Sequence, residues 1–211
     1  MRLFRVLVRT GVPLRRWVRL QVEGVDVLPA NGVPLLVVSN HDSMIDPLAI
    51  ADTMVRADRL VRFLAMDRLW RHRLIAKIMD GLGQIPIRRG AGDIAAMQSA
   101  VDALAAGDAV CIFPEGGLSQ GQRVRARRGV ARLIEAVPDV EVVLAAVEGT
   151  TDLVRFPRRP RARVKLFRPS TRPRPGEEDH AALAERLLGE IRERVPPVAA
   201  GRRPRDCGRV R

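Results

Sequence analysis

The run Pro34-Leu35-Leu36-Val37-Val38-Ser39-Asn40-His41-Asp42-Ser43-Met44-Ile45-Asp46-Pro47 carries the reading of the fold. Leu35 to Val38 are continuously apolar, the pattern of a strand covered on both faces rather than one. Polar residues follow at once, and Asp46-Pro47 opens a helix, because aspartate ahead of proline is an N-cap and first-turn signature. A buried strand that passes through a short polar loop into a helix is the repeating unit of a parallel α/β sheet.

The same alternation extends in both directions. Strands are expected at Leu20–Glu23, Pro34–Ser39, Val61–Ala65, Gln84–Ile87, Ala109–Phe113, Val140–Val147 and Ala162–Phe167, with helices at 46–55, 67–80, 93–106, 128–137 and 178–194. At 211 residues, without an internal repeat, the chain suits one domain with a substantial core. The expected fold class is α/β: a single domain, residues 21–195, with a central, largely parallel sheet flanked by helices. A short amphipathic N-terminal helical segment, residues 1–20, precedes it. The Pro-, Gly- and Arg-rich residues 196–211 read as a disordered tail.

Charge narrows the partners. The formal net charge is +13, nearly all of the positive charge being arginine, since Lys77 and Lys165 are the only lysines. Arginine pairs bidentately with phosphate and carboxylate, which points to nucleic acid, an anionic membrane surface or a phosphorylated substrate. An aromatic content of 3%, with no tyrosine, leaves little for base stacking and argues against nucleic acid. Within residues 1–20, Arg2, Arg5, Arg9, Arg16 and Arg19 recur at helical steps, and Phe4, Leu7, Leu14 and Trp17 are among the apolar residues between them. Gly11 and Pro13 divide the segment into two short helices. It reads as an interfacial anchor on an anionic membrane, or as a surface helix packed on its own domain. No uninterrupted apolar stretch approaches the ~20 residues of a spanning helix, and the interspersed arginines are unlike a secretory signal. Cys111 and Cys207 lie far apart and in no metal-ligand spacing, so a reducing cytosolic setting fits.

Residues able to do chemistry gather at strand ends. His41 follows the strand Pro34–Ser39, at the carboxyl end where ligands collect in open α/β sheets. The spacing to Asp46 lets the loop fold the carboxylate back onto one ring nitrogen. That would fix the tautomer and leave the other nitrogen to accept a proton. A capping or core role explains a lone histidine equally well, and Asp46 can cap the helix and hold the histidine together. After Ala109–Phe113 comes Phe113-Pro114-Glu115-Gly116-Gly117-Leu118-Ser119, whose glycines let backbone amides approach an anion. Glu115 is acidic where burial is expected and therefore requires a partner. In Gly83-Gln84-Ile85-Pro86-Ile87-Arg88-Arg89 a strand delivers two arginines to its end, suited to a phosphate or simply solvated.

In this order the blocks resemble those of the glycerolipid acyltransferase family, of the 1-acylglycerol-3-phosphate (lysophosphatidate) type, over roughly residues 20–168. The family's Asn-His with Asp five residues on matches Asn40, His41 and Asp46. Its Gly followed six positions later by Arg matches Gly83 and Arg89. Its Phe-Pro-Glu-Gly with a following Ser matches Phe113, Pro114, Glu115, Gly116 and Ser119. The resemblance implies His41 as general base and Asp46 as its orienting partner. It implies Arg89, Glu115 and Gly116, with Arg88 alongside, at the phosphate of the acceptor. The implied reaction moves a fatty acyl group from acyl-CoA or acyl-carrier protein to a lysophospholipid hydroxyl, 1-acyl-glycerol-3-phosphate leading to phosphatidic acid, at the cytoplasmic face of the cell membrane. Such chemistry requires neither a metal nor a redox cofactor.

Two positions depart from the family pattern. Gly117 and Leu118 stand where many members have Thr-Arg, with Arg123, Arg125, Arg127 and Arg128 near enough in sequence to compensate. Leu144 stands where a proline is usual in the fourth block. Other readings compete. Gly117-Leu118-Ser119-Gln120-Gly121 fits a Gly-x-Ser-x-Gly nucleophile elbow, with Asp152 and His180 following in hydrolase order, although Pro114-Glu115-Gly116 separates it from its strand. A non-catalytic module binding membrane or nucleic acid explains the charge but gives His41, Asp46 and Glu115 no task. An acyltransferase for another lysolipid or an amine is a further alternative.

Overall fold

A computed structural model of the chain describes residues 18–88, 93–151 and 161–199. Its strands are β1 (Arg19–Glu23), β2 (Leu35–Ser39), β3 (Val61–Met66), β4 (Ile85–Ile87), β5 (Ala109–Ile112), β6 (Glu141–Glu148) and β7 (Arg161–Phe167). Its helices are α1 (Asp46–Arg56), α2 (Arg73–Gly81), α3 (Ile94–Ala105), α4 (Gly129–Ala136) and α5 (His180–Arg194). The seven strands make one sheet in the order β1-β7-β6-β2-β5-β3-β4. The block from β6 to β4 is parallel throughout, whereas β7 runs antiparallel to β6 and carries β1 parallel to itself. The largely parallel sheet read from the sequence is therefore present, and each expected strand forms.

Period-two alternation in β2 explains why its apolar run is unbroken. Leu36 and Val38 point into the larger core with Val110, Leu133, Leu144, Leu187 and Ile191, beneath α3, α4 and α5. Leu35 and Val37 point the other way, onto Ile50 and Met54 of α1 together with Val143 and Leu166. A strand with apolar layers on both sides cannot carry a polar residue until it leaves the sheet, and polarity begins where β2 ends. Cys111 is part of the second layer, buried and free, and burial pushes its thiol well up from its ordinary range.

One expectation needs adjustment, and two others fall largely outside the described residues. The helix read across 67–80 is two elements: a 3-10 turn, Asp67–Arg71, and α2, separated by extended His72. The turn folds against α2, and Trp70 Nε1 donates to Asp80 Oδ1 at 2.7 Å. Of the N-terminal segment 1–20, residues 1–17 lie outside the described residues, while Arg19 and Leu20 already belong to β1 and Val18 is buried against Ala162. The tail 196–211 is described only to residue 199.

The amino end of the sheet is closed by polar groups that satisfy one another. Arg59 is 5% exposed and donates to the carbonyls of Pro29 and Ala30 at 2.8 and 2.9 Å and also to that of Val33. At the same end α3 stops in a Schellman arrangement, with Gly107 N donating to Leu104 O at 2.8 Å and Asp108 N to Ala103 O at 3.0 Å. Gly107 holds φ at 81°, and a Cβ there would stand 2.4 Å from the carbonyl oxygen of Gly32. Gly107→Ala combines strained backbone with a clash against main chain, so unfolding free energy should fall by about 1–3 kcal/mol or more. Denaturant titration checks this, and because the residue is remote from the strand carboxyl ends, the fold's ligand-facing end should keep its behaviour.

Candidate active site

At the end of β2 a side chain takes over from the backbone. The last ladder pair of β2 with β6 is Ser39 with Ala145, and Ser39 Oγ donates to Ala145 O at 2.9 Å. Asn40 then imitates a further ladder step: its Oδ1 accepts from Val147 N and its Nδ2 donates to Val147 O, both at 2.8 Å. Asn40 is thus pinned while its own backbone turns away, and His41 is delivered at a fixed place above the sheet.

The His41 ring is held on two sides. Its Nδ1 lies 3.1 Å from Asp46 Oδ2, and its face stacks on Phe113, centroids 4.3 Å apart, with Phe63 behind Phe113. Asp46 is the first residue of α1 rather than its N-cap, a place taken by Ile45. Its carboxylate points back into the loop instead of along the helix. Oδ2 accepts from the backbone amides of Asp42 and Ser43 at 2.7 and 2.8 Å, and Oδ1 accepts from Thr150 Oγ1 at 2.5 Å. Ser43 Oγ donates in turn to Thr150 O at 3.2 Å. With every partner fixed, Asp46 can hold His41 in the tautomer that has its proton on Nδ1, leaving Nε2 as the acceptor.

Glu115 has the partner that its position demands, and the partner comes from the far end of the chain. Arg192, in the last turn of α5, donates from Nε to Glu115 Oε1 at 2.9 Å and from both terminal nitrogens to the Asp42 carboxylate at 2.8 Å each. The three side chains are 6%, 3% and 4% exposed for Arg192, Glu115 and Asp42. Ser119 Oγ also donates to Asp42 Oδ1, and Ser119 N donates to His41 O at 2.8 Å. One guanidinium therefore ties the histidine loop to the Phe-Pro-Glu-Gly loop. Burial pushes the Glu115 carboxyl above the usual glutamate range despite Arg192, because Asp42 shares the same cation and Glu115 Oε2 has no partner among the described residues.

The remaining residues read from the sequence fall into three groups. Asn40, Phe113 and Ser119 adjoin His41 or the Arg192 network, and Pro114 and Gly116 flank Glu115 in the same loop. Gly116 holds φ at 68°, and the Arg127 side chain crosses it so closely that a Cβ would lie 2.2 Å from Arg127 Nε. Arg127 N is itself tied to Pro114 O at 2.7 Å, which fixes this arginine beside the motif. Gly83, at φ 63°, closes the turn between α2 and β4 with its amide on Asp80 O at 2.9 Å. Arg88 is exposed just past β4, within 3.9 Å of Asp67; Arg89 lies outside the described residues. Among the described residues no cluster of His, Cys, Asp and Glu offers a metal site. The hydrolase alternative fails on geometry. Ser119 is buried with its hydroxyl on Asp42, and His180 pairs with Glu135 at 2.8 Å at the opposite end of α5 from Arg192; Asp152 lies outside the described residues.

Sequence reasoning missed Thr150 and Arg192. Nothing near Arg192 in the chain distinguishes it from its many neighbouring arginines; the one available signal was the demand for a cation made by Asp42 and Glu115. Replacing it strands two buried carboxylates, so Arg192→Met should lose about 3–5 kcal/mol of stability, while Arg192→Lys should fold better yet lose the bidentate grip on Asp42. The raised Glu115 value has a defined sign. The folded state holds that proton more tightly than the unfolded chain, so this residue's contribution to stability is largest at low pH and declines as pH rises through the raised value. Glu115→Gln removes that decline, and the stability difference, mutant minus wild type, should move in the mutant's favour from about pH 4 upward, as read by unfolding titrations at each pH.

With this geometry defined, comparison with known proteins is specific. Residues 19–150 match the family model described as Acyltransferase. A chloroplastic 1-acyl-sn-glycerol-3-phosphate acyltransferase of Arabidopsis thaliana is 25% identical over 134 residues, 63% of this chain and 36% of that protein. The corresponding chloroplastic enzyme of Brassica napus is likewise 25% identical over 134 residues and 38% of its length is matched, so the chain spans little more than a third of these curated relatives. In fold it is similar to the crystal structure of the 1-acyl-sn-glycerophosphate (LPA) acyltransferase PlsC from Thermotoga maritima, with a TM-score of 0.69 and 19% identity over 90% of this chain and 77% of that one. The family model covers more than half of the chain and the same strand ends that hold His41, Asp46 and Glu115; the chain belongs to the acyltransferase family.

Proposed function

We propose that this protein transfers a fatty acyl group from a thioester to the free hydroxyl of a lysophospholipid, with 1-acyl-glycerol-3-phosphate as acceptor and phosphatidic acid as product, at the cytoplasmic face of a membrane. The observation that carries this reading is the His41 Nδ1–Asp46 Oδ2 pair at 3.1 Å, at the carboxyl end of the central strand. An alcohol is a weak nucleophile until its proton is being removed. His41 Nε2 takes the hydroxyl proton as the oxygen attacks the thioester carbonyl, and the thiolate of acyl-CoA or acyl-carrier protein leaves as the tetrahedral intermediate collapses. Asp46 offsets the charge that develops on the imidazole and keeps the ring in register. No enzyme nucleophile is needed, which agrees with the burial of Ser119.

The acceptor phosphate has a cationic surround. Arg127, crossing Gly116, supplies a guanidinium beside the Phe-Pro-Glu-Gly loop and stands in for the arginine missing at position 118. Arg88 follows β4 on the same end of the sheet, and Arg89 is next in sequence. Glu115 serves this site indirectly, by holding Arg192 and with it the spacing of the two loops. The printed names of the curated relatives, both 1-acyl-sn-glycerol-3-phosphate acyltransferases, support the choice of acceptor.

Free thiol release from acyl-CoA with lysophosphatidate present should depend on the acceptor and fall by about 10²–10⁴ in His41→Ala. Survival of activity in that variant, together with its loss in Ser119→Ala, would overturn the mechanism. Arg127→Ala should raise the KM for lysophosphatidate while leaving the KM for the thioester and the rate with an uncharged monoacylglycerol unchanged, which steady-state kinetics with the two acceptors will read.

A further inference from the structure

The end of β6 holds the His41 loop on both sides of the histidine. Ahead of it, Asn40 is bonded through both ends of its amide to the backbone of Val147. Beyond it, Asp46 Oδ1 accepts from Thr150 Oγ1 at 2.5 Å, and Ser43 Oγ donates to Thr150 O at 3.2 Å. Val147 and Thr150 are three residues apart, so the chain must leave the sheet sharply after Glu148. Gly149 makes that turn. Its φ is 77°, and a Cβ there would stand 2.0 Å from Arg161 O, so the position requires glycine. What the turn delivers to the loop is one carbonyl and one hydroxyl.

The hydroxyl is the part that needs a reason. Thr150 is buried and lines a small cavity with Val18, Leu20, Ile45, Ala49, Asp52 and Ala162, a mostly apolar set that valine, the same shape as threonine, would suit. Asp46 supplies the reason. Its carboxylate is fully buried, and Oδ2 faces His41 Nδ1 while accepting from the amides of Asp42 and Ser43. Among the described residues the donor to Oδ1 is Thr150 Oγ1. A carboxylate held through one oxygen can swing about that atom, whereas one held at both has a fixed plane. The plane of Asp46 decides how squarely Oδ2 meets the proton on Nδ1, and hydrogen bonds weaken steeply as that alignment is lost. The bonds from Asn40 and Ser43 to the main chain of Val147 and Thr150 fix where the loop runs; the Thr150 hydroxyl acts on the side chain that faces the histidine.

We propose that Thr150 is a positioning residue for the acyl transfer. Its hydroxyl fixes the plane of the Asp46 carboxylate and, through it, the orientation and tautomer of the His41 ring, while Thr150 itself meets no substrate. The effect on rate rests on the general-base reading of His41; the effect on the ring does not.

The test uses two substitutions in the full chain. Thr150→Val deletes the hydroxyl and keeps the shape and the main-chain bond to Ser43; Thr150→Ser keeps the hydroxyl and deletes a methyl. In thiol release from acyl-CoA with lysophosphatidate, Thr150→Val should lower kcat by about ten- to a hundredfold with both KM values unchanged, and Thr150→Ser should retain most of the wild-type rate. The ring is read separately. The chain has three histidines, His41, His72 and His180, so NMR of isotope-labelled histidine, assigned with His41→Ala, resolves the nitrogens of His41. In wild type and Thr150→Ser the neutral ring should show a single tautomer with its proton on Nδ1; in Thr150→Val it should show a mixture. An unchanged kcat in Thr150→Val overturns the proposal, and so does a lowered kcat with the tautomer intact. Equal damage in Thr150→Val and Thr150→Ser overturns it as well, because the lost feature is then packing and not the hydroxyl. Activity that survives in His41→Ala refutes the base reading and with it the effect of Thr150 on rate, while the tautomer still decides whether Thr150 sets the ring.

Discussion

A guanidinium buried among carboxylates must be placed well, because the cost of removing three charges from water is several kcal/mol per ion before any pairing is counted. Arg192 meets that condition by engaging Asp42 through two nitrogens and Glu115 through Nε, so each loop that it binds is fixed in orientation as well as distance. Asp42 follows His41, and Glu115 follows Phe113, the ring on which His41 stacks. The histidine is therefore positioned by an ion network that it does not touch. The glutamate of the Phe-Pro-Glu-Gly loop thus faces inward, toward the arginine.

Around this centre the loop is over-determined. Asn40 spends both ends of its amide on the backbone of Val147, and Asp46 accepts from two amides, a hydroxyl and the imidazole. Such saturation suits the general-base role proposed for His41, since a ring free to rotate would lose the geometry on which proton transfer depends. It also gives Thr150 a role, because a hydroxyl from the segment after β6 completes the Asp46 coordination and links the third connected strand end to the first two.

The strand carboxyl ends combine this rigid polar interior with exposed apolar side chains, Met44 and Leu48 after β2 and Val124 after β5. In a protein acting on water-soluble substrates such side chains would be a liability, since exposed apolar patches promote association. Beside a site read as taking a lipid acceptor they are in keeping with the substrate. Among the described residues no helix is long and apolar enough to cross a membrane.

Much of this was legible in one dimension. The unbroken apolar run of β2, the alternation of strands with amphipathic helices, and the spacing of His41 to Asp46 are local patterns, and local patterns follow from the periods of helix and strand. The need of Glu115 for a partner was legible as well, because burial of a charge is a general cost. The identity of that partner was not: 77 residues separate Glu115 from Arg192, and no spacing rule connects them. The break at His72 and the first-turn place of Asp46 depended likewise on contacts with neighbouring elements rather than on propensity. The outward turn of α2, whose Leu74 and Ile78 are exposed, belongs to the same class. Sequence periodicity shows that a helix has an apolar face, but only the packing of the sheet decides whether that face meets the core or stays exposed.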